Sequence, residues 1–462
     1  MLVSLIIAYL ILTLAIGIYA SRKVTKAEDF ALAGRQLPFH LSLSSFFATW
    51  FGAETILGVS SQFAQHGFIG ITEDPLGASL CLFLTGLFFV KYFYNKGHLS
   101  IGDYFKERYG ARFELTASLV QALSYFTYTS AQFVALGLVL ETVTHFSFSA
   151  CLIISSSIVI IYTFLGGMWA IAITDFIQSI VIVVGLLALT FFLWNKWEDP
   201  ISIESLIPEQ GFHPFPNNNF KGWATYFTAW IVMGFGSIPS QDIFQRVMSA
   251  NSERVARTSA IWAGAIYLLA SFLPILIVMF CIRMYSGQFE IDSQQIIPMM
   301  VLRHAPIAIQ ALFFGALLSA ILSTASASIL AQATVISENL IKPRFKSISE
   351  KKFLLVLRMT LLAVSLISIL ISLKVNSIFF LASSSSCVVL VSLFIPMTGG
   401  ILFPKASAFS AQLSLTLGLL TYGVLTWYEF ELLAAFFGFF ASIIGFFLPV
   451  IYHTFKATHN FE

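Results

Sequence analysis

Runs of about 20 consecutive apolar residues, joined by short polar segments, occupy most of the chain, and that is the length needed to cross roughly 30 Å of hydrocarbon. About thirteen such runs can be counted, near residues 2–20, 39–62, 75–94, 113–140, 148–165, 170–194, 221–245, 259–283, 307–334, 353–373, 378–403, 406–428 and 432–453. Apolar positions are continuous within each run and do not alternate, so the pattern predicts helices, which satisfy their own backbone in lipid. The first run has no basic segment before it and is followed by Arg22 and Lys23, as in a retained anchor.

Polar and small residues interrupt this pattern at three places. In the second run, Ala48-Thr49-Trp50-Phe51-Gly52-Ala53-Glu54-Thr55 stands where unbroken Leu and Val would be less costly. In the seventh, Gly234, Gly236 and Pro239 precede Ser240-Gln241-Asp242. A kinked helix is the competing reading for either segment alone. Matched breaks about five runs apart point instead to discontinuous helices around a midplane site. The third interruption is Ser319 to Ser328 in the ninth run, with five hydroxyls. At 100° per residue Ala320, Ser323, Thr324 and Ala327 share one face, so hydroxyl and carbonyl oxygens can converge there on a hard cation. Hydroxyls that bond back to their own helix or ease helix packing are the alternative.

Composition agrees with the pattern: 58% of residues are hydrophobic and 10% charged, and the mean hydropathy is +0.85, the signature of an integral membrane protein. The net charge of +2 gives no reason to expect nucleic acid. Twenty of the 25 Lys and Arg fall on one face if the connection after the first run is cytoplasmic, which predicts an outside N-terminus and a cytoplasmic C-terminus in the cell membrane. Cys81, Cys151, Cys281 and Cys387 sit in or beside apolar runs at unrelated spacings, as packing residues would. The eight histidines lie near run ends or in joints without ligand spacing, which argues against a membrane enzyme. A fused signalling kinase is not expected either, since few residues follow about 453.

Acids inside the apolar runs are functional candidates by default, because an ionised carboxylate at depth costs at least about 2.5 kcal/mol. Glu54, Asp175, Glu73 and Asp74 qualify. Asp74 precedes Pro75 and equally suits a helix N-cap. For Asp175 the alternative is a helix-terminal acid paired with a cytoplasmic base.

Several motifs, in order and spacing, resemble the sodium/solute symporter family. They are Asp29-Phe30-Ala31-Leu32-Ala33-Gly34-Arg35, the Ala48-to-Gly58 break, Ser100-Ile101-Gly102-Asp103-Tyr104-Phe105 with Arg108-Tyr109-Gly110, Tyr162 to Met168 running on to Thr174-Asp175-Phe176-Ile177-Gln178, Gln241 to Arg246, and the Ser319 cluster. The resemblance implies an all-α polytopic protein of LeuT-type fold with a 5+5 inverted repeat, one extra helix before it and two after. The corresponding division is 1–38 for the extra helix and cytoplasmic loop, 39–194 for the first repeat, 195–220 for an extracellular loop, 221–403 for the second repeat and 404–462 for two further helices and a short tail. It also implies a sodium ion held by the carbonyls of Ala48, Phe51 and Ala320 and the hydroxyls of Ser323 and Thr324. A second sodium, bound in some relatives, would use Asp175, Ser323 and Ser326, with Ala327 standing where those relatives carry a further hydroxyl.

The implied solute site lies between the two breaks, at Trp50, Glu54, Thr55, Asp74, Ser240, Gln241 and Phe379. Trp50 is similar to an aromatic-cage residue of the choline-carrying branch, whereas Ser240 and Ala78 replace aromatic positions of that branch. The expected activity is sodium-coupled uptake of a small polar amine or zwitterion, choline-like or amino-acid-like, with no nucleic acid and no obligatory protein partner. A proton-coupled carrier, or uptake of a sugar, vitamin or carboxylate, is the alternative.

Overall fold

The computed structural model describes residues 1–196, 213–216, 219–284, 293–375, 378–428 and 431–459. Most of the expected 195–220 connection therefore lies outside the described residues. Among those described the chain is helical, without a β-strand, and ten helices are long and apolar enough to cross a membrane. The helices that carry the site are α1 (Leu2–Ser21), α2 (Phe39–Trp50), α3 (Ala111–Thr144), α4 (Phe148–Lys196), α5 (Phe220–Gly234), α6 (Gln241–Ser249), α7 (Glu253–Met284) and α8 (Ile307–Val335).

The ten apolar helices are fewer than the runs counted in the sequence, for reasons visible in the backbone. α4 has 49 residues, about 74 Å at 1.5 Å per residue, more than twice the hydrocarbon thickness. It is divided at Gly167, where φ is 49° and ψ is −139°. A Cβ there would lie 2.3 Å from the Phe30 carbonyl oxygen, so both the left-handed backbone and the close approach require glycine. The 43-residue stretch Glu54–Lys96 is likewise divided at Gly67, where φ is 63° and ψ is −143°.

Both expected interruptions are real breaks. α2 stops at Trp50 and helical backbone resumes at Glu54. α5 stops at Gly234, and α6 begins only at Gln241 after the turn that contains Pro239. The ends of α2 and α6 remote from the breaks are tied together. Leu37 N–H donates to the Ser249 carbonyl at 3.0 Å, and Asn251 N–H donates to the Leu37 carbonyl at 2.9 Å.

α8 lies at the centre. Every residue from Ala316 to Val335 is buried, and the helix packs against α4, α3, α1 and α2. Its Ala and Ser side chains let those neighbours approach closely. All four cysteines are free and buried. On the side expected to be cytoplasmic, Ser100 and Asp103 form a capping box at the start of the short helix Ile101–Tyr109. The Ser100 hydroxyl also donates to the Asn339 side-chain carbonyl at 2.8 Å.

Replacing Gly167 with alanine is expected to destabilise the protein by at least about 2 kcal/mol, from the left-handed backbone and the contact with Phe30 together. A thermal melt of the purified protein in detergent, followed by tryptophan fluorescence, will show this as a lower midpoint; an unchanged midpoint would mean the break tolerates a side chain.

Candidate functional site

The break in α2 releases backbone oxygen in the middle of the membrane. In an intact helix the Gly52 N–H would donate to the Ala48 carbonyl; it instead turns to Trp50 O at 3.0 Å. The Ala48 carbonyl, freed from the helical ladder, receives the Thr324 hydroxyl of α8 at 3.4 Å, and the same hydroxyl reaches Ala320 O at 3.1 Å. Phe51 sits at the break itself with φ −84° and ψ 75°, wedged between Phe47 and Tyr267. A Cβ on Gly52 would lie 2.6 Å from a Glu54 carboxylate oxygen and 2.8 Å from the Thr324 hydroxyl. Glycine is thus what lets these two oxygens close on the same spot.

Ser323, next along α8, faces α4. Its hydroxyl donates to Asp175 Oδ1 at 2.5 Å, and the Ser45 hydroxyl of α2 donates to Asp175 Oδ2 at 2.8 Å. Asp175 is fully buried in mid-helix and makes no ion pair with a described Lys or Arg, which removes the helix-terminal alternative. Ala48, Phe51, Ala320, Ser323, Thr324 and Asp175 are therefore neighbours at the junction of α2, α4 and α8. Ser326 instead returns to its own helix, donating to Ser323 O at 2.9 Å. Ser319 bonds to Tyr9 of α1 and Ser328 to Thr129 of α3, so these two hydroxyls serve helix packing. Ser45 was not singled out in the sequence. Its signal is its spacing, since three residues before Ala48 it falls on the same helical face.

The remaining acids have separate settings. Glu54 accepts from Tyr128 at 2.9 Å and from the Gln132 amide at 2.8 Å, both on α3. Asp74 accepts from Thr55 at 3.0 Å and from the Tyr267 hydroxyl of α7, while Thr55 and Tyr267 bond each other at 2.8 Å. Asp74 does not act as an N-cap, because its carboxylate is spent on these side chains and no side-chain cap is made there. Besides Glu73, which is buried next to Asp74 and accepts from Ser383 at 2.9 Å, four buried acids, Glu54, Asp74, Asp175 and Asp242, and one buried base, Arg246, lie around the two breaks among the described residues. None of the four is in an ion pair with a described Lys or Arg.

Between the breaks is a contracted cavity of about 30 Å³, room for a water molecule or two. Trp50, Tyr125 and Tyr128 are its aromatic lining, and Ser240, Ser385, Ser386 and Asp242 are among its polar lining residues. Of the expected solute residues, Trp50 and Ser240 line this cavity. Glu54, Thr55 and Asp74 are buried nearby with the partners just given. Gln241 turns the other way: its side-chain carbonyl accepts from Ile101 N–H at 2.8 Å and its amide donates to Leu99 O at 3.3 Å. The side chain of Phe379 lies outside the described residues. Asp242 was missed although it adjoins Ser240 and Gln241, because an acid at the start of a helix reads as a terminal residue.

The family model for the sodium:solute symporter family matches residues 30–418. The chain belongs to the sodium:solute symporter family. This is a family of multi-span membrane transporters, and its similarity to this chain extends through both breaks. A high-affinity choline transporter 1 of Drosophila melanogaster is 28% identical over 406 residues, which is 85% of this chain and 65% of that protein. The human sodium/iodide cotransporter is 30% identical over 352 residues, 71% of this chain and 53% of that protein. The chain thus spans about two thirds of the length of the first relative and half that of the second. Among solved structures, a Na+-coupled sialic acid symporter in a substrate-bound outward-open state superposes with a TM-score of 0.85 at 18% identity, covering 97% of each chain. The transporter MhsT in complex with L-phenylalanine gives 0.58 at 14% identity, covering 89% of this chain and 98% of that one. These neighbours have the LeuT fold.

Tyr267→Phe and Thr55→Ala each remove a donor from the buried Asp74 carboxylate, and each is expected to cost about 1–3 kcal/mol. The double variant should lose less than the two together, because all three groups share one network. Melting midpoints of the wild type, the two single variants and the double variant check this.

Proposed function

We propose that the protein is a sodium-coupled symporter that imports a small polar solute carrying a positive amine, choline-like or amino-acid-like, by alternating access. The observation that carries this reading is the Ala48 carbonyl, freed at the α2 break and facing Thr324 and Ala320 beside the Ser323–Asp175 pair. Such an all-oxygen set suits a hard monovalent cation. One sodium is held by the carbonyls of Ala48, Phe51 and Ala320 with the hydroxyls of Ser323 and Thr324. A second uses Asp175 and Ser323, with Ser45 better disposed than Ser326 to complete it. Sodium joins α2 and α8 across the two halves and favours the solute-binding arrangement, and closure then opens the site to the cytoplasm.

The architecture that goes with this has thirteen crossings. It follows from dividing two of the ten apolar helices at Gly67 and Gly167 and adding the broken 220–249 segment. Ten of the thirteen form the 5+5 inverted repeat, the N-terminus is outside and the C-terminus is cytoplasmic. One sodium entering across 100 mV supplies about 2.3 kcal/mol, and a tenfold gradient adds about 1.4 kcal/mol. Together they sustain a few-hundred-fold accumulation of a neutral solute. The buried acids around the breaks and the absence of Lys or Arg among the described residues of the cavity wall favour a cationic or zwitterionic solute over an anion.

Glu54 gives the proton-coupled alternative a foothold, since neutral Tyr128 and Gln132, and no Lys or Arg among the described residues, hold its carboxylate. Uptake into proteoliposomes in sodium medium, and in potassium medium at two pH values, separates the two. The expected result is uptake that requires sodium, with Ser323→Ala and Thr324→Ala each raising the sodium concentration for half-maximal rate by at least about tenfold. Sodium-independent, pH-driven uptake would overturn the assignment.

A further inference from the structure

The cavity between the broken helices has an acid that the proposed ion sites leave unused. Asp242 Oδ1 accepts the Tyr125 hydroxyl at 2.8 Å and the Ile243 N–H at 2.9 Å. Its other oxygen has no hydrogen bond or ion pair among the described residues, and Asp242 lies on the cavity wall. Arg246, one turn further along α6, does not close this gap: its Nη1 donates to the Asp242 backbone carbonyl at 3.4 Å and not to the carboxylate.

The rest of the wall is also short of partners. Ser237 and Ser386 have only a 3.5 Å contact with each other and weak bonds to the Met233 sulfur. The Trp50 indole N–H has no partner among the described residues although Trp50 is only 6% exposed. A buried donor without an acceptor is costly unless a ligand meets it.

We propose that Asp242 is the counter-ion of the transported solute and selects an ammonium that carries N–H groups over a quaternary one. This rests on the sodium-symport reading and specifies its solute. An N–H group on a cation makes a short charge-assisted bond to the open carboxylate oxygen. A trimethylammonium group has no N–H and depends on aromatic faces all around it. Here three rings, Trp50, Tyr125 and Tyr128, share the wall with Asp242 and five serines. The Tyr125 and Tyr128 hydroxyls are held by Asp242 and Glu54, and the serines offer oxygens that a methyl group cannot use. The indole N–H is a donor alone, so the solute presents it with an acceptor. The matching chemistry is an amino alcohol or amino acid, with an ammonium at one end and a hydroxyl or carbonyl oxygen a few bonds away.

Ethanolamine and choline differ only by three N-methyl groups, so the two radiolabelled compounds form the test. The full-length chain is reconstituted in proteoliposomes with an inward sodium gradient, and binding of radioactive sodium to the purified protein is measured in parallel. Sodium-driven uptake of ethanolamine is expected to exceed that of choline by at least about tenfold. Asp242→Asn lowers ethanolamine uptake by at least about tenfold while sodium binding persists, and Asp242→Glu restores part of the uptake. Choline carried as well as or better than ethanolamine, neither compound carried, or Asp242→Asn transporting like the wild type overturns the proposal. The wild-type comparison decides even where a variant fails to fold. Sodium-driven uptake of choline alone would leave the symport reading standing and remove the role of Asp242. A protein that neither binds sodium nor uses its gradient would remove the symport reading itself.

Discussion

Inside a bilayer a backbone carbonyl that leaves its helix has no water to turn to. At the α2 break that carbonyl belongs to Ala48, and much of the surrounding structure follows from having to meet it. α8 brings the Thr324 hydroxyl to it, which requires α8 to run through the centre of the bundle, buried on every side. A helix so enclosed needs small side chains to admit its neighbours, and Ala and Ser supply them. The same rule operates at α5 and α6, where the backbone leaves the helix beside the cavity. Irregular backbone at membrane depth is tolerated where protein or a polar cavity receives it.

The second constraint is charge. Four acids near the breaks face a single buried Arg246, and each has been given hydrogen-bond donors in place of a base. Tyr128 and Gln132 serve Glu54, Thr55 and Tyr267 serve Asp74, and Ser45 and Ser323 serve Asp175. Hydroxyls are well chosen for Asp175, because they can donate to a carboxylate or, after rotation, offer lone pairs to a cation. A fixed Lys or Arg would hold the acid permanently and exclude a mobile ion.

Much of this was legible in the sequence. The run of small residues from Ala48 and the Gly234, Gly236 and Pro239 set marked both breaks, and the face shared by Ala320, Ser323 and Thr324 marked the part of α8 that meets the α2 break and Asp175. The structure departs from that reading where residues far apart in the chain meet. Gln241 stands in a motif at the second break, yet its amide is used to hold the backbone of Leu99 and Ile101. Asp74 looks like an N-cap by its neighbour Pro75, and only Tyr267 of another helix explains its position. Asp242 stands beside the second break in the sequence but reads there as a helix-terminal acid, and only the fold brings it to one cavity wall with Trp50 and Ser385. The number of apolar helices differed because glycine turns at 67 and 167 lie within single long helical stretches that hydropathy separates, and because the broken 220–249 segment is split into two short helices.

The bond between Tyr9 and Ser319 has a consequence for how the molecule is assembled. Its partners are 310 positions apart. At a synthesis rate of roughly 5–20 residues per second, α1 waits about 15–60 s before the Ser319 region of α8 is made. During that interval the Tyr9 hydroxyl must be accommodated by lipid headgroups, by its own helix, or by the insertion machinery. Closure of the bundle around α8 is therefore a late event in biogenesis, and α1, made some 310 positions before its partner, is among the helices whose place is decided late.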